Sequence, residues 1–380
     1  MAGIARGSGN PHIDFAGDFN LHSIVLQNHE ARGGRYGKEG VDIKRLVVEF
    51  NIYESMFANA LTGSLVIADS TNLIGNLPIQ GTERLTFKLS TPGSPVIDCS
   101  EESGHPMHIY ALTDKAQDKD GLQIYTLHFA SREFLRNIRT RVSQAYDMRI
   151  DQMVASIFGD ENYLDSRKTL KVEKTQNKDK IVIPNMHPFL AISMLSGRAM
   201  SDNNSVGYHF YETTKGFHFR SWNSMCVDAN GNPRDLKQTF EYMPVNITDE
   251  DAYNQSEGRD KITHEYQGVE EYRFLNSSHD TVANQAQGTY GNRVITHNIY
   301  DKSYRHDDYH YHNFFNDTKH TDGPNPAIVN TPVDYDDKGV SDYPESRVTV
   351  MPTTRFSHNE DTGAFGTDVE LDGLTEGARI

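Results

Sequence analysis

Residues Val41 to Leu89 constrain this chain more than any other stretch, because apolar side chains recur there at every second position in three successive runs. Val48, Phe50 and Ile52 alternate with Val47, Glu49 and Asn51. Leu61, Gly63, Leu65 and Ile67 form a second run, and Leu85, Phe87 and Leu89 a third. A period of two marks strands with one buried and one exposed face. The first two runs are joined by a short crossing of polar and small residues that includes Glu54, Ser55 and Asn59. The last two are joined by a connector that is itself apolar, with Leu73, Ile74, Leu77, Pro78 and Ile79. A half-buried connector within a strand series implies a closed or strongly curved sheet rather than a flat one.

The same pattern predicts strands over Leu21–Asn28, Asp42–Tyr53, Leu61–Ala68, Arg84–Ser90, Met107–Thr113 and Leu122–Phe129, the last two joined by a turn ending in Asp120-Gly121. Beyond Ser131, a candidate N-cap, the period changes. Phe134, Leu135, Ile138, Val142 and Ala145 recur at spacings of three and four and predict one helix. A second helix carries Met153, Val154 and Ile157 and ends at Gly159. A basic stretch from Arg167 to Lys180 leads to Ile181-Val182-Ile183-Pro184, read as a short strand or linker. Pro188 opens a third helix, with Phe189, Ile192, Leu195 and Ala199 on one face. Strands resume as a hairpin, Gly207–Thr213 and Gly216–Trp222, and a short strand is expected at Thr239–Tyr242. Ser277 is read as capping a helix ended by Gly288, and Asn292–Tyr304 alternate again. From Thr321 on, Pro, Gly and Asp predict extended chain. The organisation expected is an arm (1–19), a first β-barrel (20–131), a helical middle (132–205), a second strand-rich, barrel-like region with an inserted helix (206–320) and an acidic tail (321–380). This is an α+β chain, mainly β.

At 380 residues the chain exceeds one ordinary core. Its 19 Tyr and 18 Phe supply bulk that a hydrophobic fraction of 36% would otherwise lack. Two cysteines, Cys99 and Cys226, are too few for a disulfide framework and are read as packing or surface thiols. The longest apolar run, Phe189–Leu195, contains Ser193 and falls far short of the ~20 residues a bilayer requires. The N-terminus shows no long apolar segment of the signal-peptide kind, which leads to the expectation of a protein made and kept in the cytoplasm or assembled there. Charge is uneven. From Glu241 onward there are 26 acidic and 11 basic residues, a net of −15 within a total of −16. From Arg132 to Lys180 there are 11 basic and 8 acidic, a net of +3. An acidic half keeps a chain soluble and repels polyanions, so DNA is not expected as a stable ligand there.

No phosphate-cradling P-loop and no Gly-x-Ser-x-Gly elbow occurs. Gly7-Ser8-Gly9 has no preceding strand. His264-Glu265 begins like a zinc-protease helix motif, but Gly268 stands where the second histidine is needed. The nearest approach to a metal set is His306, His310 and His312. On a strand, His310 and His312 would share a face and could share a metal, against the plainer reading of a polar, aromatic strand face. Phe217, Phe219, Arg220 and Trp222 fit a strand core better than a base-stacking platform. The expectation is no catalytic, cofactor-binding or metal residue and no cofactor.

The run Val48–Leu89, with Tyr53-Glu54-Ser55, Gly63-Ser64-Leu65, Ala68-Asp69-Ser70 and Gly81-Thr82-Glu83, resembles the N-terminal domain of the central baseplate hub protein of contractile-tailed phages of the T-even type. Leu275–Phe315 is similar to the entry to that family's second barrel. The resemblance implies two tail-tube-like antiparallel barrels flanking a helical middle, and a homotrimer forming a pseudo-six-fold ring. It implies a hexameric tail tube protein above, a trimeric central spike protein below, and DNA passing through on ejection without specific binding. It also implies a place in the virion baseplate, assembled in the bacterial host cytoplasm, with no membrane segment. The late strand pair that closes the family's second barrel is not read before Ile380, so its closure is left open at this point. Two readings stand beside the hub: a β-rich carbohydrate-binding or adhesion protein of a virion, and a metal-dependent hydrolase built on His306, His310 and His312.

Overall fold

A computed structural model of the protein describes residues 19–28, 40–77, 79, 81, 83–90, 96–117, 122–176, 178–202, 205–227, 234–235, 239–242, 268–269, 271–273, 280–297, 302, 304–315, 339–352, 357–358 and 365–366. The chain is mainly β, and the alternating runs of its first third become one curled sheet. Its strands are β1 (Asn20–Gln27), β2 (Val41–Asp42), β3 (Val47–Tyr53), β4 (Thr62–Asp69), β5 (Arg84–Ser90), β6 (Ile97–Cys99), β7 (Met107–Gln117) and β8 (Gln123–Ser131). They run in the order β2-β1-β5-β7-β8-β4-β3, with β6 also on β5. The turn expected at Asp120-Gly121 lies outside the described residues.

The two margins of this sheet are neighbours in the chain. β2 pairs with β1 at one margin and β3 with β4 at the other. Between them, Ile43 N–H donates to the Ile24 carbonyl at 3.1 Å and Ala68 N–H donates to the Leu46 carbonyl at 2.8 Å. Five peptide steps from Asp42 to Val47 reach at most about 18 Å. The sheet is therefore forced to curl until its margins approach. The strand expected over Asp42–Tyr53 is thus two strands, broken by a turn at Lys44–Leu46 that lets one segment serve both edges.

The interior is apolar and aromatic. Phe50, Phe87 and Phe129, from β3, β5 and β8, meet with ring centroids 4.9, 5.6 and 5.9 Å apart. Ile24, Leu26, Leu65, Ile67, Leu85 and Leu127 are fully buried around them. Strict alternation fails within the opening run of β3. Val47 pairs with Ile67 and Glu49 with Val66, so Val48 is the extra residue of a bulge and is 52% exposed, while Val47 packs on the core. Gly63 is required by close approach: a Cβ there would overlap the Phe129 ring and the Asn51 carbonyl.

The apolar connector is organised by a buried carboxylate. Asp69 accepts from Thr71 N–H at 2.8 Å, Thr71 Oγ1 at 3.0 Å, Leu73 N–H at 2.5 Å and Tyr125 OH at 3.4 Å. Asn72, at φ 55°, turns the chain into α1 (Leu73–Asn76), and Leu73 and Leu77 enter the sheet's core.

A second core follows. It is built from α2 (Arg132–Arg139), β9 (Val142–Met148), α3 (Ile150–Gly159), β10 (Leu170–Val172), β11 (Asp179–Met186), α4 (Pro188–Ser196), β12 (Tyr208–Thr213), β13 (Gly216–Ser221) and α5 (Trp222–Cys226). The helix expected through Ala145 ends at Arg139, and Val142 and Ala145 lie in β9 against β11. A spacing of four residues suits one face of a helix and one face of a strand alike, which is why Val142, four beyond Ile138, misdirects the reading. The hairpin β12–β13 forms as expected, with Thr213 opposite Gly216. Its Tyr208, Phe210, Phe217 and Phe219 pack with Ile157, Phe158 and Leu195 in the same cluster as α3 and α4.

The later described part holds a short parallel pair, β14 (Glu241–Tyr242) with β15 (Gly268–Val269), then α6 (Thr281–Ala286), β16 (Gly291–His297), β17 (Tyr304–His310), α7 (Tyr311–Phe314) and β18 (Val348–Pro352). The cap of α6 is Asp280, whose carboxylate accepts from Ala283 N–H at 2.9 Å; Ser277 lies outside the described residues. Gly288, at φ 80°, follows the helix end. The strand expected over Asn292–Tyr304 stops at His297, and Tyr304 begins the next. β18, in the stretch read as extended, pairs in parallel with β16, giving the order β17-β16-β18.

Two substitutions test this register. Phe50→Asp places a charge among Phe87 and Phe129 and costs several kcal/mol, so the soluble folded fraction collapses; a native-like circular dichroism spectrum and urea midpoint would show that Phe50 does not face the core. Gly63→Ala, with no room for a methyl group, lowers stability by about 1–3 kcal/mol in the same measurement.

Candidate functional site

The crossing between β3 and β4 meets the hairpin of the second core, and this seam gathers the most distinctive chemistry among the described residues. Three separate ties hold it. The Glu54 carboxylate accepts from Thr214 N–H at 3.1 Å. Phe57, 71% exposed, lies against the His209 and Trp222 rings at centroid distances of 5.6 and 6.2 Å. Leu61 N–H, where β4 begins, donates to Glu212 Oε2 at 2.8 Å.

Behind that last bond lies a buried ion cluster. Lys168 Nζ donates to Glu133 Oε2 at 2.8 Å and to Glu212 Oε1 at 2.6 Å, and all three side chains are no more than 4% exposed. Glu133 Oε1 accepts from Ser166 Oγ at 2.6 Å, so each of the four carboxylate oxygens has a donor. The ammonium also lies 5.6 Å from the centre of the Phe217 ring. Burial acts to raise Glu133, but the Lys168 charge and the bonds from Lys168 and Ser166 outweigh it and hold the carboxyl below its usual value. Burial dominates at Glu212 and lifts it above the usual value against the pull of Lys168. Burial would lower Lys168, yet the two glutamates hold it raised. Two carboxylates so close could serve acid–base chemistry in an open cleft. Here an ammonium bridges them and all three side chains are almost fully buried, so the cluster ties the first sheet to the second core. Nothing local in the sequence marks it.

The histidines read as a metal set are separated by the fold. His310 ends β17 and its Nδ1 lies 2.7 Å from the Ser341 carbonyl, whereas His312 is in α7, so the two do not share a strand face. No group of three or more metal-ligating side chains is assembled among the described residues. In the same sheet Arg293 grips Asp308 with two bonds of 2.6 and 2.8 Å and reaches Glu345 at 3.0 Å, and the paired guanidinium holds the Asp308 carboxyl below its usual value. Phe217 and Phe219 are core residues as expected. Trp222 is not: it starts α5 and is 42% exposed. Cys99 is buried, which pushes its thiol up to about 12, and Cys226 is exposed. Basic side chains of the middle region are largely tied to their own neighbourhood, Arg132 to Asp165 at 2.6 Å, Arg136 to the Tyr163 carbonyl at 2.9 Å and Arg149 to Asp151 at 2.9 Å. No described helix is long and apolar enough to cross a membrane.

No protein-family model and no curated protein matches the chain. Among solved structures it is similar to phage tail proteins and to type VI secretion proteins at low identity. The tail protein from Neisseria meningitidis MC58 aligns at 10% identity over 87% of this chain and 71% of its own, with a TM-score of 0.42. The 43 kDa tail protein of prophage MuSo2 from Shewanella oneidensis aligns at 11% identity over 60% of each chain, with a TM-score of 0.36. The c3393 protein of E. coli, a component of the type VI secretion system with structural similarity to the T4 bacteriophage tail proteins gp27 and gp5, aligns at 13% identity over 53% of this chain and 49% of its own, with a TM-score of 0.33. The chain thus spans less than two thirds of two of these three proteins.

Removing the cation of the cluster exposes its cost. Lys168→Met leaves two unpaired buried carboxylates and destabilises the fold by about 3–5 kcal/mol, whereas replacing Glu133, Lys168 and Glu212 together by Leu, Met and Leu recovers most of that loss. Equal urea midpoints for wild type and the single variant would show that the cluster is not dry.

Proposed function

We propose that this chain is a structural component of a contractile tail, the hub of its baseplate, and not an enzyme. The observation that carries the reading is the coincidence of two features in residues 48–89. These residues resemble the hub's N-terminal domain, and they form the wall of a curled sheet whose two margins are held by one kinked segment. Such a wall is a rigid, curved unit suited to standing beside copies of itself around an axis. In this proposal three copies form a pseudo-six-fold ring between a hexameric tail tube protein and a trimeric central spike protein, and DNA crosses the ring on ejection. The residues 20–131 are the first barrel and 132–227 the middle unit, with β12 and β13 assigned to the middle because they share its core. The sheet β17-β16-β18 belongs to the second strand-rich region. The acidic part of the chain, net −15 from Glu241, suits a surface that a polyanion passes without holding. Assembly takes place in the host cytoplasm and the product resides in the virion tail.

Native mass spectrometry of the purified chain, alone and mixed with the tube and spike proteins encoded beside it, tests the proposal. The expected result is a trimer that captures both, seen as a three-fold ring by electron microscopy. A protein that stays monomeric and captures neither overturns it.

A further inference from the structure

The cluster at the seam carries an uneven charge. Glu133 and Glu212 share the single ammonium of Lys168 in an interior where every member is almost fully buried. Other titratable groups face the cluster from β6 and the loop after it. Cys99 is a neutral thiol, and His105 is pushed below its usual value, first by burial and then by Lys168, so it is neutral at neutral pH; Asp98, beside Cys99, is turned to Lys88 at 3.0 Å. None of them supplies a second positive charge. The two carboxylates are not equivalent. Glu133 lies in the first turn of α2, where the helix favours an anion, and it accepts from Ser166 and Lys168. Glu212 lies on a strand and has only Lys168 and one backbone N–H.

We propose that Glu133, Lys168 and Glu212 form a proton-binding site at the seam, at which Glu212 takes up one proton as pH falls and releases the Leu61 N–H that ties β4 to β12. The bonding explains the release. All four carboxylate oxygens already accept a bond, and an oxygen that gains a proton becomes a much weaker acceptor, so the bond it holds is loosened. Yielding the neutral Leu61 N–H costs less than yielding the ammonium, so the proton goes to Oε2. The direction of the Glu212 shift agrees, since burial favours its neutral form. This inference is independent of the assembly reading.

The sign of the pH dependence follows from linkage. A carboxyl raised in the folded state contributes stability that is complete below the unfolded carboxyl value and is lost as pH rises through the folded value. Glu133, held low, contributes stability above the ordinary value that is lost only as pH falls through its depressed one. The two windows are therefore distinct, with that of Glu212 lying higher.

Infrared difference spectra of the full chain, titrated downward through the pH range above that in which model carboxylates protonate, read the site directly. The expected result is a buried carboxylic C=O band that grows within it in wild type and is missing in Glu212→Gln. In parallel, the amide of Leu61 exchanges faster in wild type at the acid end, and Glu212→Gln, which mimics the neutral form, shows the faster exchange at both ends. Should Glu212→Gln fail to fold, the wild-type titration and Glu212→Asp, in which the band must shift, decide the matter. A wild-type spectrum with no such band, a band unchanged by substitution at Glu212, or Leu61 exchange insensitive to pH overturns the proposal.

Discussion

One segment, Val41 to Tyr53, carries the constraint on which the first half of the molecule depends. It lies on β1 through its first residues and on β4 through its last, so it belongs to both margins of the sheet at once. Curvature is then a requirement of chain length rather than a preference of individual strands. The rest follows in order. A curled sheet has an interior narrow enough for Phe50 to touch Phe87 and Phe129 across it. An interior so narrow leaves no space for a side chain at position 63. The bulge at Val48 adds the local twist by which the segment leaves one margin for the other.

The second unit is joined to this sheet by a different kind of force. Apolar contacts alone are tolerant of sliding, whereas a buried ammonium bridging two carboxylates has one satisfactory arrangement. Its members come from α2, the chain before β10, and β12, and the backbone of Leu61 completes it. The cluster therefore fixes the position of the hairpin β12–β13 against the crossing between β3 and β4 more than it strengthens the fold. Glu54 and Phe57 act on the same hairpin from the same crossing, so a stretch of eight residues supplies all three ties.

Legibility in the sequence followed the range of the interaction. β5 coincides with the alternation of Arg84–Ser90, and the hairpin at Thr213 and Gly216 is visible from its turn and its aromatic flanks. The buried connector at Leu73 and Leu77 was legible as apolar, although not the Asp69 carboxylate that organises it. A bulge shifts a register without changing composition, so Val48 looked inward. Spacing by four suits two periods, so Val142, four beyond Ile138, reads as helical. His310 and His312 are two apart in sequence, but the strand ends between them. β18 is stabilised by a partner more than fifty residues earlier, and its short Val-Thr-Val run stood in a stretch rich in Asp and Pro. Glu133, Lys168 and Glu212 are separated by 35 and 44 positions, and no local pattern announces three charges that meet in an interior.

The chain contains a single tryptophan, and the fold places it at the seam. Trp222 is half-exposed and forms a triangle with the Phe57 ring from the first sheet and the His209 ring from its own unit, which also touch each other. An indole in that setting emits according to how much water reaches it. Any event that draws the two units apart exposes it, and any protein that docks over the seam covers it. The molecule thus carries its own optical gauge at the joint between its parts, readable without a label in the purified chain.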